Sequence, residues 1–97
     1  MKVYDGIRLV EFGRTHAHAK KALDAWYKTA IKATWHTPQD VKARYNSVDF
    51  LSGNRVIFNI KGNHYRLIVK INYDYQMIWI RFVGTHAEYD KINAKSI

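Results

Sequence analysis

The chain has 97 residues, 47% of them hydrophobic and 25% charged, the balance of one domain that buries a core without staples. With no cysteine, it cannot build a disulfide framework, a thiolate metal site or a cysteine nucleophile. Sixteen Lys and Arg against eight Asp and Glu leave a net charge of +8, accompanied by 14% aromatic residues and five histidines, which points to a polyanionic partner and first to nucleic acid.

The start MKVYDGIRLVEF lacks the charged, apolar and cleavage regions of a signal peptide, and no run reaches the ~18–20 apolar residues of a membrane span. A cytoplasmic domain over residues 1–97, with no membrane partner, is expected. Asp5 is placed to cap a short helix over Gly6–Arg14 with Leu9 and Phe12 on its apolar edge. A longer helix over Ala17–Thr34 puts Ala19, Ala22, Leu23, Trp26, Ala30 and Ala33 on one side and Lys20, Asp24, Lys28 and Lys32 at every fourth position. That charged stripe has an ordinary reading as a solvated face. Thr37-Pro38-Gln39-Asp40 reads as N-cap, first-turn proline and acidic N3 residue of a third helix ending near Tyr45.

From about Val48 the hydrophobic period changes to 2, and RVIFNI, HYRLIVKIN and QMIWIRFVG read as antiparallel strands joined by tight turns. A two-residue loop at Gly62-Asn63 sets Lys61 opposite His64, Asn59 opposite Arg66 and Val56 opposite Val69. Val56, Phe58, Ile60, Tyr65, Leu67, Val69 and Ile71 then share one apolar face, joined by Ile78, Ile80 and Phe82 if Asp74-Tyr75 is the second loop. The opposite face collects Arg55, Ile57, Asn59 and Lys61, then His64, Arg66, Ile68 and Lys70, then Met77, Trp79, Arg81 and Val83. Its cations and its indole suit phosphates and unstacked bases. The plainer account of the same residues is a Lys70–Trp79 cation–π pair and an Arg81 ion pair.

Past the last strand, Thr85 and Glu88 form a capping box for a short helix carrying His86, Tyr89 and Ile92. The register sets Gly84 opposite Tyr65 and Thr85 opposite His64, which brings His86 near His64 and Arg66 at a helix start whose amides face outward. Proton-transfer groups and an anion site are expected to meet there.

The segment NRVIFNIKGNHYRLIVKINYDYQMIWIRFVGTHAEYDKI, with the upstream AWY and SVDF, closely resembles HigB-type toxins of the RelE superfamily over nearly the whole chain. The resemblance implies an α+β fold with N-terminal helices packed on one face of an antiparallel sheet and a short C-terminal helix. It implies ribosome-dependent cleavage of mRNA, no cofactor, and a cognate HigA-type antitoxin, commonly a helix-turn-helix protein. Tyr65-Arg66-Leu67 and Gly84-Thr85-His86 carry the comparison to RelE-like active sites: Arg66 would hold the scissile phosphate and His86 would stand where relatives place Arg or His. RelE's two lysines on the preceding strand correspond to Ile57 and Asn59 here, so its proposed base is missing and His64 or Lys61 is the substitute. Tyr89 is the candidate for base stacking or substrate orientation.

RNA supplies its own nucleophile, so a ribonuclease needs a base at the 2′-OH, cations on the pentavalent phosphorane and an acid at the 5′-oxygen. Arg66, His86, and His64 or Lys61 can fill those roles, while Asn59, Lys70, Trp79, Arg81 and Tyr89 would bind RNA around them. Histidine suits either proton step because it ordinarily titrates at about 6.5. A non-catalytic RNA-binding module is the rival, although the outward face shows only Trp79 where a typical sheet reader has paired aromatics. A metal enzyme would rest on His16 and His18, whose i, i+2 spacing points them to different helix faces.

Overall fold

The computed structural model describes all of residues 1–97. In chain order it contains β1 (Lys2–Tyr4), α1 (Ile7–Thr15), α2 (Ala17–Lys32), α3 (Pro38–Arg44), β2 (Asp49–Leu51), β3 (Arg55–Ile60), β4 (Tyr65–Asn72), β5 (Met77–Thr85) and α4 (His86–Tyr89). This is the expected α+β arrangement: helices lie on one face of a five-stranded sheet of order β1-β5-β4-β3-β2. All strand pairs are antiparallel except β1–β5, which is parallel, with Tyr4 beside Trp79. The short strands β1 and β2 were not anticipated, because three residues are too few to show a period.

The core forms where the two periodicities meet. Ala19, Leu23, Trp26 and Ala30 of α2 bury against Val56, Phe58 and Ile60 of β3, Leu67, Val69 and Ile71 of β4, and Ile78 and Ile80 of β5. Trp26 meets Phe58 edge-on at 5.3 Å between ring centres, and Tyr45 meets the same ring at 5.2 Å. At α3 the capping box forms as read: Asp40 N–H donates to Thr37 Oγ1, and Thr37 N–H donates to the Asp40 carboxylate. Asp5 does not cap α1 with its side chain. It takes a left-handed φ of 64°, and its carbonyl accepts from Arg8 N–H instead.

The β3–β4 register is the expected one, from Arg55 opposite Lys70 to Ile60 opposite Tyr65. The turn behind it differs. Lys61 and Gly62 both take positive φ, the ladder stops at Ile60–Tyr65, and His64 N–H reaches the Lys61 carbonyl at 3.3 Å.

A larger correction lies in β5. The strand pairs as expected from Met77–Asn72 to Ile80–Val69, but Phe82 then stands opposite Ile68, so Arg81 is an extra residue, a β-bulge. The Arg8 guanidinium donates to the carbonyls of Ile80 and Arg81 at 3.2 and 3.0 Å, which satisfies backbone the bulge takes out of the ladder. Every later residue changes face. Val83 packs against the core in place of Phe82, Gly84 sits opposite Arg66 rather than Tyr65, and Thr85 opposite Tyr65 rather than His64.

The outward face is also less open than alternation suggests. Ile57 and Ile68 are 3% and 0% exposed although they face away from the helical core. The chain after α4 returns toward this side of the sheet: Arg55 Nε donates to the Ile97 carbonyl at 3.0 Å, and a cleft is lined by Leu51, Tyr89, Ile92 and Ala94. Arg55 is therefore engaged by the chain itself.

Candidate active site

β4 presents Arg66 outward at the end of the hairpin where the bulged β5 runs into α4. Gly84 faces it across the ladder, and a Cβ there would lie 2.5 Å from the Phe82 ring and 3.2 Å from Glu88 Cβ. The position needs the missing side chain so that Phe82 can cross the strand and α4 can close on it. Thr85 Oγ1 accepts from Glu88 N–H, and Glu88 Oε1 accepts from Thr85 N–H at 2.8 Å, which fixes the first turn of α4. The hydrogen bonds from Thr85 hold the Glu88 carboxyl below its ordinary value of 4.5 against a smaller opposing effect of burial; nearby His16 and Lys91 add to the lowering.

This cap also uses the amides that were expected to face an anion. Thr85 N–H and Glu88 N–H serve the box, and His86 N–H donates to the His64 carbonyl at 3.3 Å. The single turn of α4 is thus a mount for side chains rather than an anion site.

Four side chains meet on that mount. Arg66 Nη2 lies 3.3 Å from His86 Nε2, and His86 Nδ1 lies 3.3 Å from Asp90 Oδ2. The Arg66 guanidinium also lies over the Tyr89 ring, 4.9 Å from its centre. A guanidinium only donates and a carboxylate only accepts, so the two partners select one tautomer: Nδ1–H toward Asp90, and an Nε2 lone pair toward Arg66. Asp90 was not anticipated. Its i, i+4 spacing from His86 was the available signal, since such pairs face each other on a helix.

The other expected site residues are distributed differently. Lys61 and His64 leave the outward face at the turn and line a small cavity of about 240 Å³ with Tyr65 and His18 of α2. Neither side chain bonds to Arg66 or His86. Asn59, opposite Arg66, donates its amide to the Ser47 carbonyl at 3.1 Å and so ties the α3–β2 connection to the sheet. Its Oδ1 and Arg66 Nε are both buried without a partner in the protein.

Lys70, Trp79 and Arg81 sit at the opposite end of the hairpin around a recess of about 340 Å³, with Asn54 and Asn72. Neither plainer account of them holds. The cation–π contacts are Lys2–Tyr4, Arg44–Tyr45 and Arg66–Tyr89, and the carboxylates are paired as Lys20–Asp24 and, by a hydrogen bond from the imidazole, His86–Asp90. His16 packs flat on Phe12 at 3.9 Å between ring centres and lies 2.9 Å from Thr15 Oγ1, an account of that residue as a helix corner. No group of three or more His, Cys, Asp or Glu is placed to hold a metal ion.

Residues 19–92 match the family described as HigB toxin, RelE-like toxic component of a toxin–antitoxin system. The mRNA interferase toxin HigB of Escherichia coli K12 is 32% identical over 77 residues, covering 77% of this chain and 74% of the relative. A HigB of Shigella flexneri, also an mRNA interferase by name, has the same identity and coverage. The mRNA interferase HigB of Escherichia coli O6:H1 is 26% identical over 84 residues, covering 84% of this chain and 82% of the relative.

Proposed function

Because the chain belongs to the HigB family of RelE-like toxic components of toxin–antitoxin systems, we propose that it cleaves mRNA engaged on the ribosome, by acid–base chemistry at the ribose-phosphate junction and without a metal. The observation that carries this reading is the chain of contacts Arg66–His86–Asp90, a cation beside an imidazole whose tautomer is set.

A phosphate entering beside Arg66 takes over the guanidinium N–H that His86 Nε2 accepts at rest, and Nε2 is freed. The lone pair then removes the 2′-OH proton as the 2′-oxygen attacks phosphorus. Arg66 neutralises the pentavalent oxyanion. The P–O5′ bond breaks on the side opposite the attack, the 5′-oxygen takes its proton from solvent and the imidazolium returns its own to water, which leaves a 2′,3′-cyclic phosphate and a 5′-hydroxyl. Asp90 holds Nδ1–H and so keeps Nε2 as the atom that takes the proton. This assigns the base step to His86, because Lys61 and His64 line a different cavity. Tyr89, already under the Arg66 guanidinium, orients the substrate. Lys70, Trp79 and Arg81 continue the RNA path along the hairpin, and Asn59 stands opposite Arg66 on the neighbouring strand.

The cognate partner is an antitoxin, and a HigA-type helix-turn-helix protein with acidic stretches fits the +8 charge. The protein works in the cytoplasm, where its substrate is. The test is translation-coupled: wild type, Arg66→Ala and His86→Ala, each stripped of bound metal with EDTA and then freed of the chelator, are incubated with programmed ribosomes, and new mRNA 5′ ends are mapped. Cleavage by wild type alone supports the reading. Equal cleavage by His86→Ala refutes its role in proton transfer, activity lost on stripping the protein and restored by an added transition metal refutes the metal-free step, and RNA binding without new ends favours the non-catalytic module.

A further inference from the structure

From the Lys70 end of the β4–β5 hairpin we infer a second RNA subsite, separate from the proton-transfer groups: a pocket in which one nucleobase stacks on Trp79. The inference rests on the reading that the chain acts on RNA, and it adds a place, a ligand class and residues.

The indole is prepared on one side and open on the other. Tyr4, its register neighbour on the parallel strand β1, stacks on it with ring centres 5.7 Å apart and planes 15° from parallel. Lys2 lies over the Tyr4 ring at 5.2 Å, which extends the stack with a cation. The strand order puts β4 and β3 on the other side of Trp79, and there the recess of about 340 Å³ opens between Trp79, Lys70, Arg81 and Asn54. Lys70 and Arg81 are exposed and make no ion pair, so their charges remain available to phosphates flanking a base. A flat ring, free cations and amides at the rim are what a single-stranded nucleotide requires.

Position follows from register. Lys70 is four residues along β4 from Arg66 and on the same face, which is about 13 Å at the usual rise. Ile68 and Phe82 lie between them on that face, and Ile68 is fully covered, so a strand held at Arg66 and reaching Trp79 passes over that covering without touching Ile68. Arg81, the extra residue of the bulge, borders the recess. Stacking is tolerant of base identity, so the subsite adds grip and register rather than sequence preference.

Fluorescence reads the subsite directly, because Trp26 and Trp35 are only 2% and 5% exposed and Trp79 is the tryptophan that RNA can touch. A short single-stranded RNA is titrated at low salt into the His86→Ala protein, which is spared turnover. Saturable quenching is expected, with weaker quenching by the same RNA carrying abasic ribose in place of its bases. Trp79→Ala, followed by anisotropy of labelled RNA, should bind about 5- to 150-fold more weakly, the equivalent of ~1–3 kcal/mol for one stacked base. Trp79→Phe, which keeps a ring at the edge of the sheet, should lose less and retain the wild-type melting temperature. The subsite is overturned if RNA fails to bind or leaves emission unchanged, or if a natively melting Trp79→Ala or Trp79→Phe shows the wrong ranking. Ribosomal cleavage without quenching removes the subsite and keeps the nuclease; quenching without cleavage does the reverse.

Discussion

At the α4 end of the β4–β5 hairpin, Arg66, His86, Tyr89 and Asp90 hold one another; at the far end, Lys70 and Arg81 hold nothing and Trp79 offers one covered and one open side. The same residue types serve different ends. Groups that must move a proton gain from being placed before substrate arrives, because misplacement costs rate steeply. Groups that only hold a flexible strand can wait for it with their charges free.

Substitutions should separate the two ends in kind as well as in size. His86→Ala should lower ribosomal cleavage by about 10²–10⁴-fold, the range of a general acid–base group, while leaving antitoxin binding and RNA quenching intact. Arg66→Ala should cost about 10²–10³-fold in the same assay, as one lost electrostatic donor does. Asp90→Asn should lower cleavage by less than Arg66→Ala, because an amide facing Nδ1 no longer selects the tautomer that keeps a lone pair on Nε2, and Asp90→Glu should restore part of the loss. Unchanged cleavage by Asp90→Asn would reduce Asp90 to a helix surface residue.

Stability tests sharpen the same contrast with smaller effects. Gly84→Ala should lower stability by about 1–3 kcal/mol in chemical denaturation, since the added methyl meets Phe82 and Glu88, and should also depress cleavage by displacing α4. Thr85→Ala should cost about 1 kcal/mol, the usual worth of an N-cap. Folding lowers the Glu88 pKa, so its stabilising effect is present above the ordinary value of 4.5 and is lost as pH falls below that value toward the folded one. Wild type and Glu88→Gln should therefore converge in melting temperature on acidification, and a gap that persists in acid would show that the charge is not involved.

Much of this architecture is legible in the residues themselves. Thr37 with Asp40 and Thr85 with Glu88 announce their capping boxes, the alternation in RVIFNI and YRLIVKIN agrees with the β3–β4 register, and the expected nearness of Arg66 to His86 survives the one-residue shift in the β4–β5 register. Other features depend on partners far away in the chain. The bulge at Arg81 answers to Arg8, the pairing of β1 with β5 needs a crossover through three helices, and the burial of Ile57 and Ile68 accompanies a C-terminal return that ends on Arg55. The departure of Lys61 and His64 from the outward face comes from a left-handed lysine, a conformation that composition does not advertise.

The extra residue in β5 leaves one strand with two opposite parities. Before it, even-numbered side chains at Ile78 and Ile80 lie under the helices; after it, the odd-numbered Val83 does. Anyone recolouring the outward surface by substituting every second residue along this strand would, at position 83, be planting a polar group against the core.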